Sequence, residues 1–442
     1  MKINTKKWLH PIIYYNIIIN DGGGKNMTWQ MILVIALFFW IFIALNWKIA
    51  DPVIVGISIP TILALAGILK PATAFSDFSN STCMFFMSMF VIGRAIMKTG
   101  LADTIGSTII NLIGKTEKRL TLSVAVVAAS MSAFLNDTGT TGCLMPIVGA
   151  MAQKAQVKLS KIYMTLAFFA SMGGTITLIG TTPHIIAGGL LEKAGYQGYG
   201  FFEFTKVGLP ITIIGLIYMY FFGYHTLPEV ETSYDQVPPV AHKDKRGMII
   251  TSVVFVILVI ALATKIMPFH LAAVLGAMIV VVTRCITVND ALDSFSMPTL
   301  FLVAGVFPLS GAMAKTGVTQ MIIDFTSQYA TSVSPYAAIL IISGLTAFLT
   351  QFMMGTSLSA VMLPMGIVYA QSLHLDPRGV VMAIAVASSL AFCTPFGTGP
   401  NLLVWKPGGY EIKDYFKTGL PLLVMAWLVS STIIWYFYEF AK

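Results

Sequence analysis

Residues 134 to 147 read FLNDTGTTGCLMPI, and residues 352 to 365 read FMMGTSLSAVMLPM. Aligned at an offset of 352 − 134 = 218, Phe134, Thr138 and Pro146 meet Phe352, Thr356 and Pro364. Each stretch sets small and polar residues inside an apolar run, and the first adds a carboxylate, Asp137. Glycine costs about 1 kcal/mol in a helix interior, and Asn, Asp, Ser and Thr compete for backbone hydrogen bonds, so each run reads as a long helix opened near its centre.

The setting of these runs is a bilayer. The chain of 442 residues is 56% hydrophobic and only 10% charged, with a mean hydropathy of +0.81, where a soluble domain carries roughly 25% charged residues. Apolar stretches of about 20 residues recur from Trp29 to Tyr438, enough for about ten to twelve passages across a ~30 Å hydrocarbon core. The expected class is an all-α polytopic membrane protein. Backbone outside a helix survives in lipid only where protein or a water-filled cavity surrounds it, so the opened helices mark an interior site.

The net charge of +8 does not point to nucleic acid. The basic residues collect in short loops, KTEKR (115 to 119), KAQVKLSK (154 to 161) and HKDKR (242 to 246), where lipid head groups and the positive-inside bias account for them. Cys83, Cys143, Cys285 and Cys393 are scattered without a C-x-x-C spacing and read as packing residues. Residues 1 to 26 include KWLHPIIYYNIIIN and DGGGK; they read as a leader outside the native product, with translation starting at Met27, and not as a signal peptide.

Self-similarity runs through the rest. AFSDFSNST (74 to 82) resembles ALDSFSMPT (291 to 299), with Phe78 and Phe295 at 295 − 78 = 217. AIMKTGL (95 to 101) matches AMAKTGV (312 to 318), and GTTPH (180 to 184) matches GTGPN (397 to 401), all at 217. Four blocks in one order at nearly one offset indicate a duplication. The expected division is a first repeat over 27 to 225, a polar linker over 226 to 246 and a second repeat over 247 to 442. Hydropathy leaves open whether the segments near 76 to 98 and 293 to 315 span or turn back, and whether the repeats are inverted.

GTTPH and GTGPN supply a second pair of interruptions, since glycine and proline both defeat regular helix. An opened helix presents free N–H groups on one side, attractive to anions, and free carbonyls on the other, attractive to cations. Discontinuous helices at matching positions of two halves are the pointer to a transporter's substrate site.

At these positions the sequence resembles the divalent anion/sodium symporters, SLC13-like permeases of the ion-transporter superfamily that carry dicarboxylates, tricarboxylates or sulfate. The family bears a Ser-Asn-Thr triplet in each repeat and a G-T-P-P-N turn downstream; here those places hold Asn136-Asp137-Thr138, Met354-Gly355-Thr356, GTTPH and GTGPN. The likeness extends from about residue 50 to the C-terminus, through the two K-T-G turns, FLTQF (348 to 352), Pro146 and Pro364. It implies inverted repeats, re-entrant hairpins near 76 to 98 and 293 to 315, a homodimer and an elevator motion. Carried over by position, it places one sodium at Ser132, Asn136, Asp137 and the backbone of Gly180, and another at Thr350, Gly355 and the backbone of Gly397. Substrate carboxylates would meet Asn136, Thr138, Thr181, Thr182, Gly355, Thr356, Thr398 and Gly399. Met354 and Gly355 depart from the triplet and remove two side-chain donors.

A carboxylate at mid-membrane costs about 2.5 to 3.5 kcal/mol unless neutralised. A bound cation, a proton or a basic neighbour such as Arg94 would each neutralise Asp137, and a plain helix cap is the structural alternative. Arg94 is also a candidate to bind an anion or to reach the head-group layer. His184 replaces the family's asparagine, and a hydrogen bond to the loop backbone is favoured over titration. A bare Asp137 would repel an anion, so cation or proton binding should precede substrate. No phosphate-cradling loop, H-E-x-x-H motif or paired nucleophile suggests an enzyme, and no cofactor is expected. The resulting expectation is a sodium-coupled symporter of a small dianion, most of all a C4-dicarboxylate such as succinate, in the bacterial cytoplasmic membrane. The rivals are a proton-coupled anion carrier or exchanger, a cation/proton antiporter and an arsenite-type exporter.

Overall fold

A computed structural model describes residues 27–47, 49–102, 104, 105, 108, 116–230, 244–264, 266–327 and 333–440. The expected leader, residues 1–26, and most of the linker lie outside the described residues. Within them the chain is helical, with no extended strand. Six helices are long and apolar enough to cross a membrane alone, among them Glu117–Leu135, Met297–Thr316 and Ile412–Glu439, and shorter apolar helices accompany them. Hydropathy fits about ten to twelve passages; among the described residues there are six such helices and five shorter apolar ones.

The first half contains α1 (Trp29–Asn46), α2 (Pro52–Leu65), α3 (Pro71–Phe75), α4 (Ser81–Lys98), α5 (Glu117–Leu135), α6 (Asp137–Ala155), α7 (Leu159–Gly174), α8 (Thr182–Lys193) and α9 (Thr205–Tyr218). The second half contains α10 (Lys245–Thr264), α11 (Phe269–Val282), α12 (Val288–Asp293), α13 (Met297–Thr316), α14 (Val318–Ser327), α15 (Pro335–Leu349), α16 (Gly355–Ser372), α17 (Pro377–Ala387), α18 (Gly399–Gly408) and α19 (Ile412–Trp435). Local chemistry sets many of these starts. Asp51 caps Val53 N–H at 2.9 Å ahead of Pro52, and Asp376 caps Arg378 N–H at 2.9 Å ahead of Pro377, the usual pairing of a capping acceptor with a proline that needs no donor.

Helix directions follow from named contacts. Lys161 Nζ meets Glu117 Oε1 at 2.9 Å, tying the starts of α7 and α5. Ser132 Oγ donates to the Ala170 carbonyl at 2.5 Å, tying their ends. So α5 runs parallel to α7, whereas α6 is joined to α7 by a short turn and packs antiparallel along it, with Tyr163 Oη donating to the Met145 carbonyl at 3.3 Å. It follows that α5 and α6 form a helical hairpin whose tip is Asn136. A second hairpin, α15 and α16, is built likewise: Thr350 Oγ1 donates to the Ser388 carbonyl at 2.9 Å at its tip, while Tyr336 and Thr432 meet at 3.1 Å near its base.

This corrects two expectations. The stretches at 134 to 147 and 352 to 365 do not open a continuing helix; they reverse it. Conversely, α4 and α13 run unbroken through 81–98 and 297–316, where hairpins were expected. The polar residues before them act as ordinary helix starts, with Asn80 Oδ1 accepting from Thr82 N–H at 2.6 Å. The discontinuous helices are instead α7–α8, interrupted over 175–181, and α17–α18, interrupted over 388–398.

The halves interlock. Among the described residues, α8 packs on α16 and α17 while α18 packs on α6 and α7. α2 lies so close to α13 that a side chain on Gly56 would overlap the Phe301 carbonyl, and one on Gly305 would overlap that of Gly56. One end of the molecule is marked by Lys158, Lys161, Glu117 and Glu229. The opposite end is marked by Arg378 with Glu203 at 2.5 Å and by Asp376 N–H donating to Glu439 at 2.7 Å.

Candidate functional site

The two hairpin tips and the two helix interruptions meet. Asp137 N–H donates to the Gly180 carbonyl at 3.1 Å, and Gly355 N–H donates to the Gly397 carbonyl at 3.0 Å, so each tip is pinned to a glycine of the downstream turn in its own half. Behind each pin, Ser132 and Thr350 donate to the carbonyls of Ala170 and Ser388. Thr177 donates to the Ala133 carbonyl and Thr394 to that of Gln351, closing the same loop twice. His184 Nδ1 contacts the Thr177 carbonyl at 3.0 Å, and Asn401 Nδ2 donates to the Thr394 carbonyl at 3.0 Å. Because a carbonyl only accepts, Nδ1 of His184 carries the proton. The ring also stacks on Phe204 at 3.8 Å. His184 is thus fixed to the loop backbone, as expected.

In front of the tips lies a cavity of about 680 Å³, ample for a small organic anion. Every expected substrate position lines it: Asn136, Thr138, Thr181, Thr182, Gly355, Thr356, Thr398 and Gly399. Of the expected sodium positions, Asn136, Asp137, Gly355 and Gly397 line it, while Ser132, Gly180 and Thr350 are buried behind it. The hydroxyls of Ser132 and Thr350 spend their hydrogens on carbonyls, which leaves their lone pairs free for a cation. The halves touch across the cavity, since Ser389 Oγ donates to Thr181 Oγ1 at 3.2 Å and any side chain on Gly399 would overlap Thr138.

The tips differ in charge. Asn136 adopts φ 70° and accepts Gly139 N–H at 2.7 Å, so asparagine provides the cap that Asp137 was considered for. Asp137 Oδ1 accepts from Thr138 N–H at 2.6 Å and Thr138 Oγ1 at 3.1 Å. No basic group pairs with Asp137 among the described residues. Arg94, which lines the same cavity, instead approaches Asp290 at 4.0 Å. At the second tip Met354 offers no side-chain cap.

Several lining residues escaped the sequence reading. Ser294, Ser296 and Thr299, at the start of α13, and Ser388 and Ser389 in the second interruption are polar, whereas Met89, Phe90, Leu402 and Leu403 make an apolar wall. Ser294, Ser296 and Thr299 were legible only as part of the repeat block 291 to 299, and nothing in the local pattern of the others separates them from ordinary bundle residues. Gln351 was legible only as part of FLTQF. It is buried and clamps the second interruption, donating to the Ala347 and Leu390 carbonyls at 2.7 and 2.9 Å and accepting Cys393 N–H at 2.9 Å. None of the four cysteines forms a disulfide among the described residues.

Comparison with known proteins agrees with this architecture. The chain is 22% identical to an uncharacterized transporter of Synechocystis, over 92% of this chain and 96% of the relative. It is also 22% identical to the sodium-dependent dicarboxylate transporter SdcS of Staphylococcus aureus, over 93% of this chain and 87% of that one. Its fold resembles that of the YdaH transporter of Alcanivorax borkumensis, with a TM-score of 0.65 at 14% identity, covering 92% of this chain and 98% of that one. The profile of the citrate transporter family, CitMHS, matches residues 37–377. With multiple apolar helices folded around a polar cavity, the chain is a multi-pass membrane transporter rather than an enzyme, and it belongs to the citrate transporter family.

Proposed function

We propose that this protein is a secondary active transporter that couples sodium to the symport of a small dianion, a C4-dicarboxylate such as succinate, by alternating access. The observation that carries the reading is the meeting of two helix-hairpin tips and two interrupted helices at one cavity that holds an unpaired carboxylate. Among the described residues, the charged ones lining it are Arg94, Asp137 and Asp293, a balance of 1 − 2 = −1, so a dianion entering alone would be repelled. A cation bound first at Asp137 removes that penalty, which makes the two binding events interdependent.

The cation donors are hard oxygens. Ser132, Asn136, Asp137 and the Gly180 carbonyl would hold one sodium, and Thr350, the backbone at Gly355 and the Gly397 carbonyl another, each as transported ions. The substrate carboxylates would meet the tip residues Asn136, Thr138 and Thr356 and the turn residues Thr181, Thr182, Thr398 and Gly399. The sodium-dependent dicarboxylate transporter among the relatives supports this choice of ion and cargo. A proton-coupled anion carrier, a cation/proton antiporter or an arsenite-type exporter is the second reading, and Asp137 as a proton carrier is what favours it.

The contacts also support two repeats, 27–225 and 247–442, joined by a linker over 226–246 and inverted with respect to each other: the first hairpin is based at the Lys161 end, the second at the Glu439 end. The Lys161 end gathers Lys98, Lys118, Arg119, Lys158, Lys245 and Arg246, which by the positive-inside bias makes it the cytoplasmic face of a bacterial inner-membrane protein. The cavity reaches this end through Arg94 and Asp293, so the conformation would be inward-facing. Elevator movement of the hairpins within a homodimer completes the proposal.

The test is uptake of radiolabelled succinate into proteoliposomes, driven by an inward sodium gradient or by an inward proton gradient without sodium. Sodium-driven uptake is expected. Uptake with protons alone would make Asp137 the proton carrier. Failure of both would reject the dicarboxylate symporter and turn attention to citrate, sulfate and the antiporter reading.

A further inference from the structure

Resting on the anion-transport reading, we propose that Arg94 recognises the second carboxylate of the dianion and thereby sets selection for dianions over monoanions. Arg94 stands on α4 and, among the described residues, is the one basic side chain that lines the cavity in front of the hairpin tips. Its side chain is 44% exposed. No hydrogen bond engages its guanidinium among the described residues, and at 4.0 Å from Asp290 its ion pair is loose. Asp290 is already well served, because Lys98 and Thr287 hydrogen-bond its Oδ2, and those bonds hold its carboxyl below the ordinary carboxylate range. The guanidinium therefore keeps a fork of donors that matches a carboxylate bidentately.

The wall is also shaped for a ligand. A Cβ added at the adjacent Gly93 would meet nothing within 4 Å, so space lies open beside the arginine. The duplication gives no second copy of this group: 94 + 217 = 311, and Gly311 stands there. The second tip, in turn, carries Met354 and Gly355 where side-chain donors would otherwise sit. The chain thus has fewer side-chain donors at one tip and carries a loosely paired cation on α4 in the same cavity, an arrangement that moves one carboxylate contact from the tip to α4. The first carboxylate stays with the tip and turn threonines.

The test uses the detergent-solubilised full chain and measures binding by ligand-induced thermal stabilisation. The probes are succinate, citrate and sulfate as multivalent anions and butyrate as the monoanion, all in saturating sodium, against wild type, Arg94→Gln and Arg94→Lys. Wild type is expected to prefer a dianion to butyrate. Arg94→Gln should lose about tenfold in dianion affinity, the loss of one charge-assisted bond, with butyrate unchanged, and Arg94→Lys should recover part of it. An unchanged dianion preference in a folded Arg94→Gln protein overturns the inference while leaving the transport reading intact. Equal weakening toward butyrate also overturns it, because the arginine would then act through structure. If no multivalent anion binds wild type, the dianion reading itself fails and takes the inference with it.

Discussion

The two hairpin tips share a skeleton and differ in chemistry. Each donates its first helical N–H to a glycine carbonyl of the downstream turn, and each has a hydroxyl behind it bonded to the end of the next helix. The first tip adds a capping amide and a carboxylate; the second adds neither, and has no room for the carboxylate, since any side chain on Gly355 would overlap the Ser388 carbonyl. The matching hydrogen bonds maintain a frame, while the residues free to differ leave one tip charged and the other neutral.

The strongest way to break this comparison is to force the tips alike. Gly355→Ala should abolish uptake and cost about 1–3 kcal/mol of stability by overpacking, read as a lower Tm in detergent. Asp137→Asn keeps the shape of the first tip and removes its charge. The concentration of sodium giving half-maximal uptake should rise by about 10- to 100-fold, the weight of one charge-assisted contact of 1.5–3 kcal/mol, with partial transport recovered at high sodium. Complete inactivity at every sodium concentration would instead favour the proton-carrier reading.

The shared skeleton predicts equal, smaller effects. Ser132→Ala and Thr350→Val each remove the donor to a buried carbonyl and should each destabilise by about 1–3 kcal/mol, toward the lower end where the carbonyl retains other partners. A large inequality between them would show that the hydroxyls are not equivalent. The smallest effect separates the caps: Asn136→Ala should cost about 1 kcal/mol as the loss of an N-cap, whereas Met354→Ala should cost almost nothing at the cap. Thermal unfolding of the two variants side by side makes the check.

Much of this site was legible because polar and small residues in an apolar chain need a reason. That argument found Asn136, Asp137, Thr138, Thr181 and Thr356, and the duplication placed their partners. It did not find the direction of the chain. A reversal and an interruption use the same glycines, asparagines and threonines, and the reversal at Asn136 is settled by one positive φ together with packing along α7. Hydropathy could not separate α4 and α13, which continue, from α5–α6 and α15–α16, which turn back, because the individual helices are all apolar and 15 to 20 residues long. Arg94 was visible as an intramembrane cation, but its place in the cavity depends on how α4 packs.

The interlocking of α8 with the second hairpin and of α18 with the first has a historical consequence. A half-length chain of this kind would leave its interrupted helix without a berth and its hairpin uncovered, and a second copy inserted the same way up would not supply the missing surfaces. Under the proposed inversion, a copy inserted upside down would. The forerunner of this protein would then have been a small polypeptide that entered the membrane in both orientations and worked as an antiparallel pair. On that view gene fusion would have made the pairing permanent, and only afterwards could one tip gain its carboxylate while the other stayed without one.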